Sequence, residues 1–145
     1  MQYRLRPVTE ADREWLYELK VDAYRDVIER QFGSWADQLQ RQIFDASWNL
    51  ETSSVISVGQ TDVGLLVVED RPDELWLAEI QLGRTARGHG LGSRIVEDLL
   101  NRARAAGKPL RLNVLCENHR ARRLYESLGF ARIGETDEHY VMQAC

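Results

Sequence analysis

The chain has 145 residues and a mass of 16.8 kDa, long enough to bury a core without disulfides. Hydrophobic residues at 43% and charged residues at 29% exclude a disordered chain, and apolar runs as short as Leu65-Leu66-Val67-Val68 exclude a membrane-spanning helix. A net charge of −4 argues against a nucleic-acid binder. Cys116 and Cys145 make neither a disulfide framework nor a metal site, and no metal is expected. The first residues, MQYRLRPVTEADREW, lack the apolar segment of a signal peptide, so the expected setting is cytoplasmic.

No repeat, low-complexity tract or Pro/Gly/Ser linker divides the chain, and one domain over residues 1–145 is expected. A first strand is predicted over Tyr3 to Arg6. Thr9 and Asp12 form an acidic capping box before a helix carrying Trp15, Leu16, Leu19, Ala23, Val27 and Ile28 on one side. A second helix opens with Ser34 as its N-cap. SSVISVG and DVGLLVVED read as a hairpin turning at Gln60-Thr61, and DELWLAEIQL follows as a third strand of that series after the turn Arg71-Pro72-Asp73.

A long helix then places Leu91, Ile95, Val96, Leu99, Leu100 and Ala103 inward and ends near Gly107. LRLNVLC is a strand, Asn118 caps a helix stopped by Gly129, and FARIGE with EHYVMQA close the chain as paired strands. The order is β-α-α-β-β-β-α-β-α-β-β. It predicts an α/β (α+β) fold with a mixed, mostly antiparallel central sheet and helices on both faces.

The long helix opens on Arg87-Gly88-His89-Gly90-Leu91-Gly92-Ser93. Glycine destabilises a helix, so glycines at this point serve close approach of the backbone. The first turn of a helix carries unpaired N–H groups and a partial positive charge, which together suit an anion such as phosphate. Charge agrees: Arg84 to Arg123 holds ten Lys/Arg against Glu97, Asp98 and Glu117, although a solvated basic helix face explains the same count. The P-loop pattern is absent because no Lys-Ser or Lys-Thr follows. The dinucleotide fingerprint also fails, its last glycine falling on Ser93 or Ile95. What remains is R-x-x-G-x-G, filled by Arg87, Gly90 and Gly92.

With that loop the chain resembles the GNAT superfamily of acyl-CoA-dependent N-acyltransferases, whose Q/R-x-x-G-x-G/A loop binds the pyrophosphate of acetyl-CoA. NHRARRLYESLGF, from Asn118 to Phe130, matches the family's N-x-x-A-x-x-L-Y-x-x-L-G-F segment, and the element order fits along the whole chain. The resemblance implies an acetyl-CoA-dependent N-acetyltransferase with acetyl-CoA as co-substrate. It assigns the pyrophosphate to the amides of Gly88, His89, Gly90, Leu91, Gly92 and Ser93, with Arg87 on the phosphates. It assigns the pantetheine amides to the main chain of Ile80 and Leu82; capping alone explains Asn118, and a water-mediated contact to CoA or substrate is compatible with that. Tyr125 becomes the acid that protonates the departing thiolate.

A protonated amine cannot attack, so a base is required, and Glu79 is the candidate because an isolated carboxylate in an apolar strand is costly unless hydrated or paired. A solvent-facing charge or an arginine partner accounts for Glu79 equally well. Tyr24, His139 and Tyr140 are candidate acceptor-lining residues, with Asp22, Asp26 and Glu29 giving the wall a negative character. Cys116 has no histidine at an activating spacing, which disfavours an acyl-cysteine route. The expected partner is a small-molecule amine or a peptide acceptor; nucleic acid and membrane are not expected, and the protein is a monomer or a homodimer. The rival reading is a CoA-binding module without turnover, or a protein N-terminal or lysine acetyltransferase.

Overall fold

The computed structural model describes residues 2–145. Its elements run β1 (Arg4–Pro7), a 3-10 turn (Glu10–Asp12), α1 (Arg13–Phe32), α2 (Asp37–Ser47), β2 (Ser53–Val58), β3 (Thr61–Asp70) and β4 (Leu75–Leu82). A second 3-10 turn (Arg84–Ala86), α3 (Leu91–Ala105), β5 (Leu110–Leu115), α4 (His119–Ser127), β6 (Ala131–Glu135) and β7 (His139–Ala144) complete the chain. The seven strands are hydrogen-bonded in the order β1-β2-β3-β4-β5-β7-β6. β4 and β5 run parallel, whereas β1 with β2, β2 with β3, β5 with β7 and β6 with β7 are antiparallel. The fold is the expected mixed, mostly antiparallel α/β arrangement.

The chain forms two compact units, one made of the sequence up to Val67 with Glu79–Arg87, the other of Val68–Ala78 with Gly88–Cys145. In the first unit α1 starts where the sequence places it. The Thr9 amide donates to Asp12 Oδ2 at 2.8 Å, and the Arg6 guanidinium donates to both oxygens of the same carboxylate at 2.8 and 2.9 Å. The box opens a 3-10 turn that passes straight into α1. Gly33, at φ 91°, ends the helix with its N–H on the Glu29 carbonyl.

The start of α2 departs from the expectation. Ala36, not Ser34, is the N-cap, in extended conformation. Asp37 opens the first turn, and its carboxylate accepts from the Tyr17 hydroxyl at 2.6 Å and from Trp35 Nε1 at 3.3 Å. That tertiary tie, joined to an aromatic stack, outweighs a serine cap worth about 1 kcal/mol. Tyr17 packs edge-on against Phe44 at 5.4 Å, and burial, reinforced by Asp37, pushes its phenol up to about 12. Val8, Leu16, Leu19, Val55 and Leu65 complete this core, with Trp15, Trp35 and Trp48 packed at its edge.

The second unit is built on the inner face of α3. Leu91, Ile95, Val96, Leu99, Leu100 and Ala103 are all buried, as are Leu110, Leu112 and Val114 of β5. Each such Leu, Ile or Val side chain contributes about 1.5–3 kcal/mol on leaving water. β5 pairs with β7 from Leu110↔Ala144 to Leu115↔His139 and with β4 only from Leu75↔Leu110 to Leu77↔Leu112. Asn118 caps α4, its Oδ1 accepting from the Ala121 N–H at 3.3 Å, and Gly129 follows the helix at φ 94°.

Candidate active site

Strand alternation puts Leu75, Leu77, Glu79 and Gln81 of β4 on one face and Ile80 and Leu82 on the other. Leu75 and Leu77 are almost fully buried, so the face that carries Glu79 is a core face. Within the first unit, the Tyr24 hydroxyl of α1 donates to Glu79 Oε1, and the Gln81 side chain also donates to this carboxyl. Burial raises the proton affinity of Glu79 above the ordinary carboxylate range; Tyr24, Gln81 and the charge of Lys20 oppose the shift in that order. Lys20 is itself pushed below the usual lysine range by burial, against the pull of Glu79. Lys20 and Tyr24 stand one helical turn apart on α1 and so share a face.

β4 is closely approached from β3 here. A side chain at Gly64 would place its Cβ 2.3 Å from the Gln81 carbonyl oxygen and 2.9 Å from Leu82 Cδ2, so only glycine fits. The Gly83 N–H donates to the Val63 carbonyl at 2.8 Å and ends the strand in register.

Arg87 is ion-paired within the first unit. Its Nη2 donates to Asp22 Oδ2 at 2.6 Å, while Arg84 Nε donates to Asp22 Oδ1 at 2.8 Å. Arg87 Nε is buried and finds no partner among the described residues. Asp22 also lines a groove of about 460 Å³ in the same unit, with Glu14, Glu18, Asp26 and Asp37 set against Arg25, Arg41 and Arg84. Asp22 and Asp26 therefore line one groove, and Glu29 pairs with Arg25 at 3.5 Å.

In the second unit the glycine loop has the backbone that its sequence requires. Gly88 and Gly90 both adopt φ 79°, a left-handed conformation costly to any residue with a Cβ, and nothing stands within 4 Å of where that Cβ would lie. Gly90 is the N-cap of α3 and has no side chain to satisfy the first-turn amides of Leu91, Gly92 and Ser93. His89 is exposed between the two glycines. Open space and first-turn N–H groups without a side-chain cap suit a phosphate group.

Tyr125 is buried, 7% exposed, and its ring lies 5.5 Å from that of Phe130. Tyr140 is flanked by the guanidiniums of Arg122 and Arg132, 4.6 and 4.3 Å from its ring centroid, beside a cleft of about 280 Å³ that both arginines line. The amide and carbonyl of His139 close a turn with Thr136. Neither cavity is lined by Glu79 or Tyr125.

Of the residues singled out in the sequence, Tyr24 and Glu79 meet directly, and Arg87 joins the same unit through Asp22. Asn118, Tyr125, His139 and Tyr140 belong to the second. Lys20 and Gln81 were not anticipated; Gln81 was within reach, because it stands two residues beyond Glu79 and strands return to one face every second residue. Among the described residues no group of three or more His, Cys, Asp or Glu could hold a metal ion, and no helix is long and apolar enough to cross a membrane.

The chain has an α/β fold, with a desolvated carboxylate on β4 in the first unit and a glycine-capped α3 in the second. The acetyltransferase (GNAT) family model matches residues 16–130, and the chain belongs to that family. No curated protein matches the sequence significantly. Among solved structures, the PaiA N-acetyltransferase of Thermoplasma acidophilum in complex with coenzyme A superposes with a TM-score of 0.77 at 14% identity, covering 99% of this chain and 98% of that one. An acetyltransferase of Thermus thermophilus gives 0.71 at 18% identity, covering 99% and 96%. The ribosomal-protein alanine N-acetyltransferase of Escherichia coli gives 0.66 at 19% identity, covering 98% and 92%. At such identities the likeness is one of fold.

Proposed function

We propose that this acetyltransferase moves an acetyl group from acetyl-CoA to a primary amine of a small molecule or peptide, by direct attack within a ternary complex. The observation that carries this reading is the partly buried Glu79 carboxyl, raised in proton affinity and held by Tyr24 on the strand that leads into the glycine loop. A base must take a proton from an ammonium that is charged at neutral pH, and raised proton affinity suits a carboxylate to that task. Glu79 accepts the proton directly or through water, and the neutral amine attacks the thioester carbonyl. The main chain of Ile80 and Leu82 pairs with the pantetheine amides, and the amide near Leu82 polarises the carbonyl. Tyr125 protonates the departing thiolate.

The first-turn amides from Gly88 to Ser93, with His89 at the rim, take the pyrophosphate; their uncapped state and the open space at Gly88 and Gly90 support this. The PaiA enzyme was crystallised with coenzyme A, and the Escherichia coli neighbour is named a ribosomal-protein-S18-alanine N-acetyltransferase, which makes an amine acceptor reasonable here. The acidic groove of α1 favours a cationic acceptor. Two free cysteines, Cys116 and Cys145, fit a cytoplasmic setting.

Thiol release from acetyl-CoA over a panel of primary amines tests the proposal. Amine-dependent release, lost in Glu79→Gln and reduced in Tyr125→Phe, is the expected result. CoA binding with no turnover on any amine would make the chain a binding module instead.

A further inference from the structure

Glu79 is surrounded by three groups, of which one is charged. The Tyr24 hydroxyl and Gln81 amide donate to the carboxyl, while Lys20 acts on it through its charge. Lys20 Nζ itself is directed to the Gln40 carbonyl at 3.3 Å. Among the described residues, Lys20 and Tyr24 act on Glu79 from α1 and Gln81 from its own strand.

Gln81 is 5% exposed, and a glutamine that deep ordinarily satisfies both ends of its amide. Here the nitrogen serves Glu79, and Oε1 is buried with no donor among the described residues. Rotating the amide would relieve that oxygen only while Glu79 is protonated, because the ionised carboxylate only accepts. Packing does not call for glutamine at this point, since methionine has nearly the same volume and no polar atom to strand. An unmade hydrogen bond therefore persists in the core beside a group whose ionised form burial disfavours.

We propose that Tyr24 and Gln81 are positioning residues that hold the Glu79 carboxylate in a fixed, ionisable state, Gln81 doing so at the expense of its own unpaired carbonyl. This rests on Glu79 being the base. Two neutral donors favour the anion without neutralising it, so Glu79 can release its proton after each turnover yet still capture the next one. Tyr24 thereby acts on the base from α1.

The test is the pH dependence of kcat/KM for acetyl transfer in wild type, Tyr24→Phe, Gln81→Met and Glu79→Gln, with thermal melting of each. Removing a donor to the anion moves the acid limb to higher pH by about one unit or more in both Tyr24→Phe and Gln81→Met. Gln81→Met melts at the wild-type temperature or above it, because the stranded carbonyl is gone. An acid limb that stays at the wild-type midpoint in both variants overturns the proposal. So does a Gln81→Met variant that melts lower and loses rate equally at every pH, since that marks a purely structural residue. An unmoved limb in Glu79→Gln brings down the base assignment itself, which separates the two failures.

Discussion

Tyr24 of α1 donates its hydroxyl to Glu79 Oε1 of β4, joining residues fifty-five positions apart in the chain. The pair sits where burial favours the protonated carboxyl, so the folded chain holds this proton more tightly than the unfolded one. Stability from this group is complete below the unfolded value of about 4.3 and falls as pH rises through the higher folded value. Glu79→Gln removes that dependence. Its melting temperature is expected to exceed that of wild type at pH 7 to 8, with the difference closing near pH 4.

Asp12 has the opposite sign. The Arg6 guanidinium, followed by the Thr9 amide and Trp15 Nε1, holds its carboxyl well below the usual range against the opposing effect of burial. Its contribution is present above about 3.9 and is lost as pH falls through the folded value. Asp12→Ala takes the acceptor from the Thr9 amide and Trp15 Nε1 and leaves Arg6 only Asp62 and the Pro7 carbonyl. Urea unfolding at pH 7 is expected to show a loss of about 2–3 kcal/mol, with a weaker dependence on acid than wild type shows.

Gly64→Ala drives a methyl group into the Gln81 carbonyl and Leu82, and backbone can yield only by moving β3 from β4. A destabilisation of about 1–3 kcal/mol is expected in chemical denaturation. Because Gln81 moves with the strand, acetyl transfer falls more than stability does. A variant with wild-type kinetics would show that β4 tolerates displacement at Glu79.

The elements were legible because their signals are local. The inner face of α3 from Leu91 to Ala103, the Asn118 cap and the stop at Gly129 all follow from neighbours within two turns. The start of α2 was not legible, because Tyr17 holds Asp37 from twenty residues away and displaces the expected cap at Ser34. The site divides the same way. The loop from Gly88 to Ser93 announced itself through glycines, and Glu79 through its isolation in an apolar strand. Pairing of Glu79 with Tyr24, and capture of Arg87 by Asp22, depend on the path of α1 across the strands, which no spacing in the sequence encodes.

Asp22 holds Arg84 and Arg87 in one bidentate arrangement. If Arg87 serves the phosphates of CoA, they compete with Asp22 for its guanidinium, so the ion pair opposes donor binding. Exposed pairs of this kind are worth about 0.2–1 kcal/mol. Asp22→Asn is expected to tighten CoA binding in calorimetry by up to about fivefold at low ionic strength, with the gain shrinking as salt is added. Weaker binding in the variant would assign Asp22 a supporting role in the donor site.

Proton transfer turns on one carboxyl group, whose titration can be watched directly. Carbon-13 NMR of the Glu79 side chain, identified by its absence in Glu79→Gln, follows the carboxyl shift from pH 3 to pH 9. A midpoint above the ordinary glutamate range, moving higher still in Tyr24→Phe, is the predicted result. A midpoint at or below that range would contradict it, leaving a carboxylate with no reason to be buried and no fitness as the base.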